Sequence, residues 1–288
     1  MLLTVDVGNT NTLFGLYTSD SEAPPITLRA SSRRDRMPDE WYAILEPGLR
    51  RNGIIPEQID DIAISSVVPG VTEWVRQMGA AVLGAETVVV RSTTDLGITV
   101  ATDSPAEIGT DRIVNSLAAR ERYGSPAIVI DFGTATNFDV VDKAGRYIGG
   151  ALAPGLVVAL EAMASRAARL FSVELDFPEH ALGRNTVHAM QSGLMFGYLS
   201  LIDGMIERLS AEIEGDPRVI STGGLGASFA AHSPLIDHHD EHLTLLGLKL
   251  AWEHLRAEKR EIGFVVEAER GGHQHLPGAH GVVEVKHL

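Results

Sequence analysis

Two short segments of the chain repeat a pattern that could hold a phosphate group and its cation. Residues 3–6 lead to Asp6 and Gly8, and residues 128–131 lead to Asp131 and Gly133, with threonine and asparagine following in both copies. Each copy predicts a strand that ends in a carboxylate and is followed by a tight glycine turn. Carboxylate and phosphate oxygens are ligands that suit Mg²⁺. The repeat therefore predicts two similar half-structures that face one cleft, in an enzyme that uses ATP.

These turns also have interpretations that involve no phosphate. A single Asp-x-Gly turn is more typical of an ordinary hairpin, and only its repetition favours a phosphate site. The chain has no Gly-x-x-x-x-Gly-Lys-Ser/Thr segment, and no Gly-x-Gly-x-x-Gly follows a predicted strand, which excludes P-loop, Rossmann and protein-kinase sites. A third glycine turn at residues 222–224 could contact nucleotide or simply connect a strand to a helix.

The elements that must position these turns alternate between strands and helices. In the first half we expect a strand pair at residues 2–6 and 12–17, a polar stretch, and a helix from Asp39. Strands at 61–67 and 86–90 are separated by a helical segment at 71–83, and this alternation predicts a parallel α/β sheet.

The second half begins where residues 123–126 break a helix that we expect to open at Pro105. Further along we expect a hairpin at 128–141, a helix near 155, a helix at 187–214 capped by Asn185, a strand at 218–222 and a helix at 243–259. We therefore expect three parts, residues 1–123, 124–262 and a peripheral or flexible tail at 263–288.

Composition narrows the function classes. A chain of 288 residues is longer than one hydrophobic core usually supports, which favours two domains. It contains no cysteine, and its formal net charge is −14, which disfavours a nucleic-acid partner. No apolar run reaches the roughly 20 residues of a membrane-spanning helix, and residues 1–6 are typical of a strand rather than of a signal peptide. We expect a cytoplasmic protein without nucleic-acid or membrane partners.

Seven segments together resemble one family within the actin-like superfamily of acetate and sugar kinases, the type III pantothenate kinases. The resemblance covers roughly residues 1 to 255 and implies an α/β fold of two similar actin-like, ribonuclease H-like domains with a nucleotide cleft between them. The segments, in chain order, are Asp-Val-Gly-Asn-Thr-Asn-Thr-Leu at 6–13, Gly-Thr-Asp-Arg at 109–112, Asp-Phe-Gly-Thr-Ala-Thr at 131–136, Gly-Gly-Ala-Leu-Ala-Pro-Gly at 149–155, Gly-Arg-Asn-Thr at 183–186, Met-Gln-Ser-Gly at 190–193 and Thr-Gly-Gly at 222–224.

The resemblance implies transfer of a phosphoryl group from ATP to pantothenate, the first step towards coenzyme A. It assigns Asp6 to Mg²⁺, Asp131 to a monovalent cation (K⁺ or NH₄⁺) and Thr134 to a phosphate. The remaining residues that it assigns to the ATP phosphates are Val7, Gly8, Asn9, Thr10, Asn11, Thr12 and Leu13.

The same resemblance assigns Asp111 as the general base for the substrate alcohol. From the residues alone, an exposed pair of Asp111 and Arg112 early in a helix is the commoner interpretation. Arg112 suits the pantothenate carboxylate or its amide carbonyl, because its guanidinium is planar and permanently charged. The other implied substrate contacts are Thr102, Gly109, Thr110 and Thr186. The family also implies a homodimer that builds part of the pocket across its interface, and the helix at 187–214 is the candidate contact surface.

Three positions depart from the family pattern: Thr102 replaces a frequent tyrosine, Thr110 an alanine and Asn137 a threonine. None removes a carboxylate, so activity is expected. Two alternatives stay open, a non-catalytic nucleotide-binding regulator and another small-alcohol kinase of the superfamily. The histidines at 238–242 and in the tail are more typical of solvated side chains than of a transition-metal site, and none is assigned.

Overall fold

The computed structural model describes residues 1–18, 25–166 and 172–271, and the side chains of the last helix as far as residue 258. The first half of the chain forms a five-stranded sheet. Its central strand pairs antiparallel with the second strand and parallel with the fourth. The strands are β1 (Leu2–Val7), β2 (Asn11–Tyr17), β3 (Ile26–Ser31), β4 (Asp61–Ser66) and β5 (Glu86–Val89), in the spatial order β3-β2-β1-β4-β5.

The second half forms another five-stranded sheet with the same order and the same strand directions. Its strands are β6 (Ala127–Phe132), β7 (Ala135–Val141), β8 (Tyr147–Pro154), β9 (Arg218–Gly223) and β10 (His238–His239), in the order β8-β7-β6-β9-β10. β6 pairs antiparallel with β7 and parallel with β9, as β1 does with β2 and β4. The predicted pair of similar half-structures is confirmed.

Seven α-helices cover these sheets within the described ranges. They are α1 (Pro38–Arg51), α2 (Pro69–Met78), α3 (Thr110–Tyr123), α4 (Leu156–Arg166), α5 (Thr186–Ala211), α6 (Gly226–Ala230) and α7 (Leu243–Gly271). The cap predicted for α5 is confirmed, because Asn185 Oδ1 accepts a hydrogen bond of 2.9 Å from the backbone N–H of His188. In the described part of the chain, no helix has the length and apolar character needed to cross a membrane.

Helix α7 follows the second sheet in the chain but packs against the first. It contacts α3 and the strands β1, β2 and β4. Its Leu245 shares an apolar cluster with Leu2 and Tyr17. The closest approach to α3 is at Gly247, because a Cβ there would overlap the backbone carbonyl of Val114. The boundaries at residues 123 and 262 stay predictions.

Three local expectations differ from the structure. The polar stretch before α1 contains β3, an edge strand whose residues alternate between partly buried and exposed, so its apolar signal is weak. The helix expected from Pro105 is only a 3₁₀ turn over Pro105–Glu107, and α3 begins after Gly109. The last helix runs to Gly271, beyond the expected residue 259, and residues 272–288 of the expected tail lie outside the described chain.

The contact at Gly247 gives a test of how α7 is held. Replacing Gly247 by alanine pushes a methyl group into the Val114 carbonyl, so we expect a loss of about 1–3 kcal/mol in the free energy of unfolding, measured in urea. Gly70→Ala is the matched control, because nothing lies within 4 Å of a Cβ at this exposed helical position. Equal stability of the two variants would mean that α7 does not rest on α3 in this way.

Candidate active site

Asp6 and Asp131 occupy equivalent places in the two sheets. Each is the fifth residue of a six-residue central strand. In both strands the remaining five residues are all buried, while the aspartate is partly exposed. Burial raises the pKa of Asp6 to about 8, with the charges of Asp111 and Asp131 adding to the shift. Burial also raises the pKa of Asp131 to about 6, again with a contribution from Asp111. Because Asp111 influences the pKa of both Asp6 and Asp131, the three predicted carboxylates form one cluster.

Asp111 reaches this cluster from the first turn of α3. Burial raises its pKa, and the hydrogen bond from the backbone N–H of Arg112 to Asp111 Oδ1, 3.0 Å long, opposes that shift. Glycine at position 109 leaves room for this carboxylate, since a Cβ there would overlap Asp111 Oδ1. A helix N-terminus favours a negative charge through its free amides and dipole. The Gly-Thr-Asp-Arg segment therefore fixes a buried carboxylate at the start of a helix.

The two Asp-x-Gly turns meet directly. Gly8 N–H donates to the Asn11 carbonyl, three residues on, and Gly133 N–H donates to the Ala135 carbonyl, two residues on, each over 3.0 Å. Thr10 Oγ1 of the first turn lies 3.1 Å from Thr134 Oγ1 of the second. The expectation that the two halves face each other at these turns is confirmed.

The third glycine turn packs against the second Asp-x-Gly turn. Gly223 has a φ of +84°, and a Cβ there would lie 2.7 Å from Asp131 Oδ1. Gly224 N–H donates to the Phe132 carbonyl over 3.1 Å. Only glycine fits this approach, so the turn borders the carboxylate cluster. Its contact with nucleotide stays a prediction.

A cavity of about 530 Å³ opens beside the cluster, with Arg112 in its wall. Thr102 also lines it, and its buried Oγ1 has no hydrogen-bond partner among the described residues. Arg112 is held by Asp139, whose Oδ1 accepts a 2.7 Å hydrogen bond from Nε. Tyr147 donates a 3.1 Å hydrogen bond to the same oxygen, and its ring lies under the guanidinium at 5.8 Å. The cavity is thus lined by one cationic side chain, Arg112, which Asp139 and Tyr147 hold in place.

The remaining predicted residues differ in how far their side chains are exposed to solvent. Within residues 6–13, the tip at 9–11 is exposed, whereas the side chains of Val7 and Thr12 are buried. Thr110 is buried in the first turn of α3. Thr186 is exposed at the start of α5 and is not among the described residues that line the cavity.

Sequence reasoning missed Asp139, Tyr147 and Asn115. Asn115 Nδ2 donates a 3.3 Å hydrogen bond to Asp131 Oδ2. A signal for Asp139 existed, because this carboxylate interrupts an apolar run at 138–141 and is fully buried. A buried carboxylate needs a partner, but the run does not reveal which basic residue supplies it.

Solved structures agree with the fold. A Campylobacter jejuni protein described as a Baf family transcriptional activator matches with a TM-score of 0.54 and 18% identity, over 88% of this chain and 99% of that one. The ethanolamine utilization protein EutJ from Carboxydothermus hydrogenoformans matches with a TM-score of 0.52 and 14% identity, over 86% of this chain and 88% of that one. The duplicated sheet with paired carboxylates defines an α/β protein of the actin-like class.

Sequence relatives narrow this class to one family. The model of the family "Type III pantothenate kinase" matches residues 2–208. Proteins of that name from Thermomicrobium roseum and from Roseiflexus sp. (strain RS-1) are 43% and 44% identical, each over 88% of this chain and 98% of the relative. One from Acidobacterium capsulatum is 40% identical over 91% of this chain and 98% of the relative. The chain belongs to the type III pantothenate kinase family, as its ordered segments predicted.

The raised pKa of Asp6 makes the stability of the protein depend on pH. A carboxyl group whose pKa rises from 3.8 to about 8 on folding stabilises the folded state fully below 3.8, and this contribution is lost as the pH rises through about 8. In EDTA, we therefore expect Asp6→Asn to raise the Tm by more at about pH 8 than at about pH 6. The exposed Asp216→Asn is the control and should give the same small Tm difference at both pH values. A pH-independent Tm difference for Asp6→Asn would contradict the coupling.

Proposed function

We propose that this chain transfers the γ-phosphoryl group of ATP to the primary hydroxyl group of pantothenate, giving 4'-phosphopantothenate, with Asp111 as the general base. The observation that carries the proposal is the cluster of Asp6, Asp131 and Asp111 at the meeting point of two glycine turns. Membership of the type III pantothenate kinase family supports the choice of substrate.

The nucleotide lies with its phosphates at residues 6–13 and at Thr134, where the two turns offer backbone amides and threonine hydroxyls. Asp6 and Asp131 are buried carboxyl groups whose pKa the charge of Asp111 raises further, and carboxylate oxygens suit Mg²⁺. Asp6 would hold this ion, which would supply positive charge for phosphoryl transfer. Asp131, beside the third glycine turn, binds the monovalent cation, K⁺ or NH₄⁺.

Asp111 accepts the proton of the attacking hydroxyl group. Its Oδ1 is engaged by the Arg112 N–H, which leaves Oδ2 for the alcohol. A carboxyl group with a raised pKa is a better proton acceptor at neutral pH than an unperturbed one. Positioning and charge stabilisation supply most of the remaining acceleration in phosphoryl transfer.

The acceptor occupies the cavity of about 530 Å³, where Arg112 binds its carboxylate. Gly109 and Thr110 are further proposed contacts, because they lie in the chain between Ile108 and Arg112, which line the cavity. Thr102 contributes a hydroxyl group that has no partner among the described residues.

The reaction is tested with purified protein, ATP, pantothenate and either K⁺ or Na⁺ as the monovalent cation. We expect K⁺-stimulated formation of 4'-phosphopantothenate, and Asp111→Asn should lower kcat by about 10²–10⁴-fold, because the amide cannot accept the proton. Asp39→Asn is the matched control, an exposed aspartate in the first turn of another helix, and should keep wild-type kcat. No product with either cation, while ATP still binds, would reject the kinase assignment.

The functional unit is a homodimer in which α5 and its surroundings contact the second copy. Large apolar side chains of the second half are exposed, among them Leu182 (79%), Leu152 (65%) and Val157 (48%). We infer that they contribute to the interface, because contiguous exposed apolar side chains are typical of interaction surfaces. Leu152 also lines the cavity, so the interface reaches the acceptor site, and the exposed Thr186 contacts the acceptor held by the partner.

Leu182→Glu tests the dimer. Because Leu182 is 79% exposed, a charge there leaves each fold intact but opposes burial against a second copy. We expect light scattering to show monomers and the KM for pantothenate to rise. Ile55→Glu, at another apolar side chain that is 57% exposed, should remain dimeric. A Leu182→Glu dimer with unchanged KM would place the interface elsewhere.

The predicted cytoplasmic location and the boundaries at residues 123 and 262 belong to the same proposal. The absence of cysteine supports a reducing compartment. The net charge of −14 supports the expectation that the protein has no nucleic-acid partner.

A further inference from the structure

We propose that Asp139 is a positioning residue that, together with Tyr147, holds the guanidinium of Arg112 in the orientation needed to bind the acceptor carboxylate. This inference rests on the proposed function, in which Arg112 binds that carboxylate. Asp139 itself touches neither substrate nor nucleotide in this arrangement.

The contact geometry determines which part of Arg112 remains available. Asp139 Oδ1 accepts a hydrogen bond from Arg112 Nε over 2.7 Å and another from the Tyr147 hydroxyl group over 3.1 Å. None of the described residues accepts a hydrogen bond from Arg112 Nη1 or Nη2. The two terminal nitrogens of a guanidinium form the bidentate contact with a carboxylate. Asp139 thus engages the inner nitrogen and leaves the outer pair for a ligand.

The surroundings of the pair are rigid. Asp139 and Tyr147 are fully buried, and the Arg112 side chain is 13% exposed. The Tyr147 ring lies 5.8 Å from the Arg112 guanidinium carbon. An arginine held on one edge and supported by a ring has few rotamers left, so it loses little entropy when a ligand binds.

Stability alone does not account for a carboxylate at position 139. Burial raises the pKa of Asp139 to about 7 although Arg112 and Tyr147 both lower it, so the pair does not fully compensate for loss of water. Its second oxygen, Oδ2, is buried without a partner among the described residues. Buried ion pairs are often no more stable than apolar replacements of the same size. A role in orienting Arg112 explains why the chain keeps this charge.

Two substitutions test the charge of Asp139 and the hydroxyl group of Tyr147 separately. Asp139→Asn keeps the shape and an acceptor oxygen but removes the charge, and Tyr147→Phe removes only the hydroxyl group. We expect the KM for pantothenate to rise about tenfold or more for Asp139→Asn and about threefold for Tyr147→Phe, which are the sizes of effect seen when a charged or a neutral hydrogen-bond partner is lost. The KM for ATP should stay within about twofold in both.

Asp142→Asn is the matched control. Asp142 also pairs with an arginine, Arg146, at the end of the same hairpin, but neither residue lines the cavity. Its loss should leave both KM values unchanged. Near-ultraviolet circular dichroism and Tm show whether each variant is folded. If Asp139→Asn does not fold, Tyr147→Phe still tests the proposal.

Binding of pantothenate and of panthenol, in which an alcohol replaces the carboxylate, separates the two levels of the proposal. We expect the wild type to prefer pantothenate and Asp139→Asn to lose most of that preference. If the wild type shows no preference, the role given to Arg112 fails. If the wild type discriminates and folded Asp139→Asn discriminates equally, or if the variants raise both KM values alike, the positioning role is overturned.

Discussion

The burial of three aspartates in one cluster is the constraint on which the rest of this structure depends. Asp6 and Asp131 approach from the ends of two different sheets, and Asp111 approaches from the start of a helix. Burial raises the pKa of all three carboxyl groups, and the charge of Asp111 adds to the shift of the other two, so ionising them together costs free energy unless a cation accompanies them. Such a site is poised for cations and for the phosphate groups that accompany them.

The duplicated sheet explains how this arrangement is reached. In both halves the central strand delivers its fifth residue to the same edge, and the glycine turn that follows exposes the backbone there. Helix α3 then lies between the sheets, in contact with β4 as well as with β6 and β7, and sets Asp111 beside the other two. Helix α7 packs along α3 and on the first sheet, which ties the end of the described chain to its beginning. The carboxylate cluster is therefore built by elements from both halves.

The sequence predicted those parts of the site that depend on local patterns. Asp6 and Asp131 lie at strand ends before glycine turns, and both features can be read within ten residues. The partnership of Arg112 with Asp139 could not be read, because 27 residues separate them and only the packing of α3 on β7 joins them. The start of α3 was also misplaced, since Pro105 is a strong helix signal whereas the Gly109 start depends on the contact with Asp111. Packing of α7 on the first sheet is likewise a tertiary property, without a signal in residues 243–258.

The three departures from the family pattern leave all three carboxylates in place, although Asn137 lies opposite Asp131 on the neighbouring strand and Thr110 precedes Asp111. Thr102 lines the cavity, and Thr110 is buried in the first turn of α3. Asn137 Oδ1 is buried on β7 and, like Thr102 Oγ1, lacks a partner among the described residues. Unpartnered polar atoms of this kind cost free energy unless water or a ligand satisfies them. Thr102 is the departure that lines the cavity, so under the proposed function it is the one expected to act on acceptor binding. The proposed base and the proposed cation ligands are unchanged, and under that proposal acceptor affinity can vary while the phosphoryl-transfer residues stay the same.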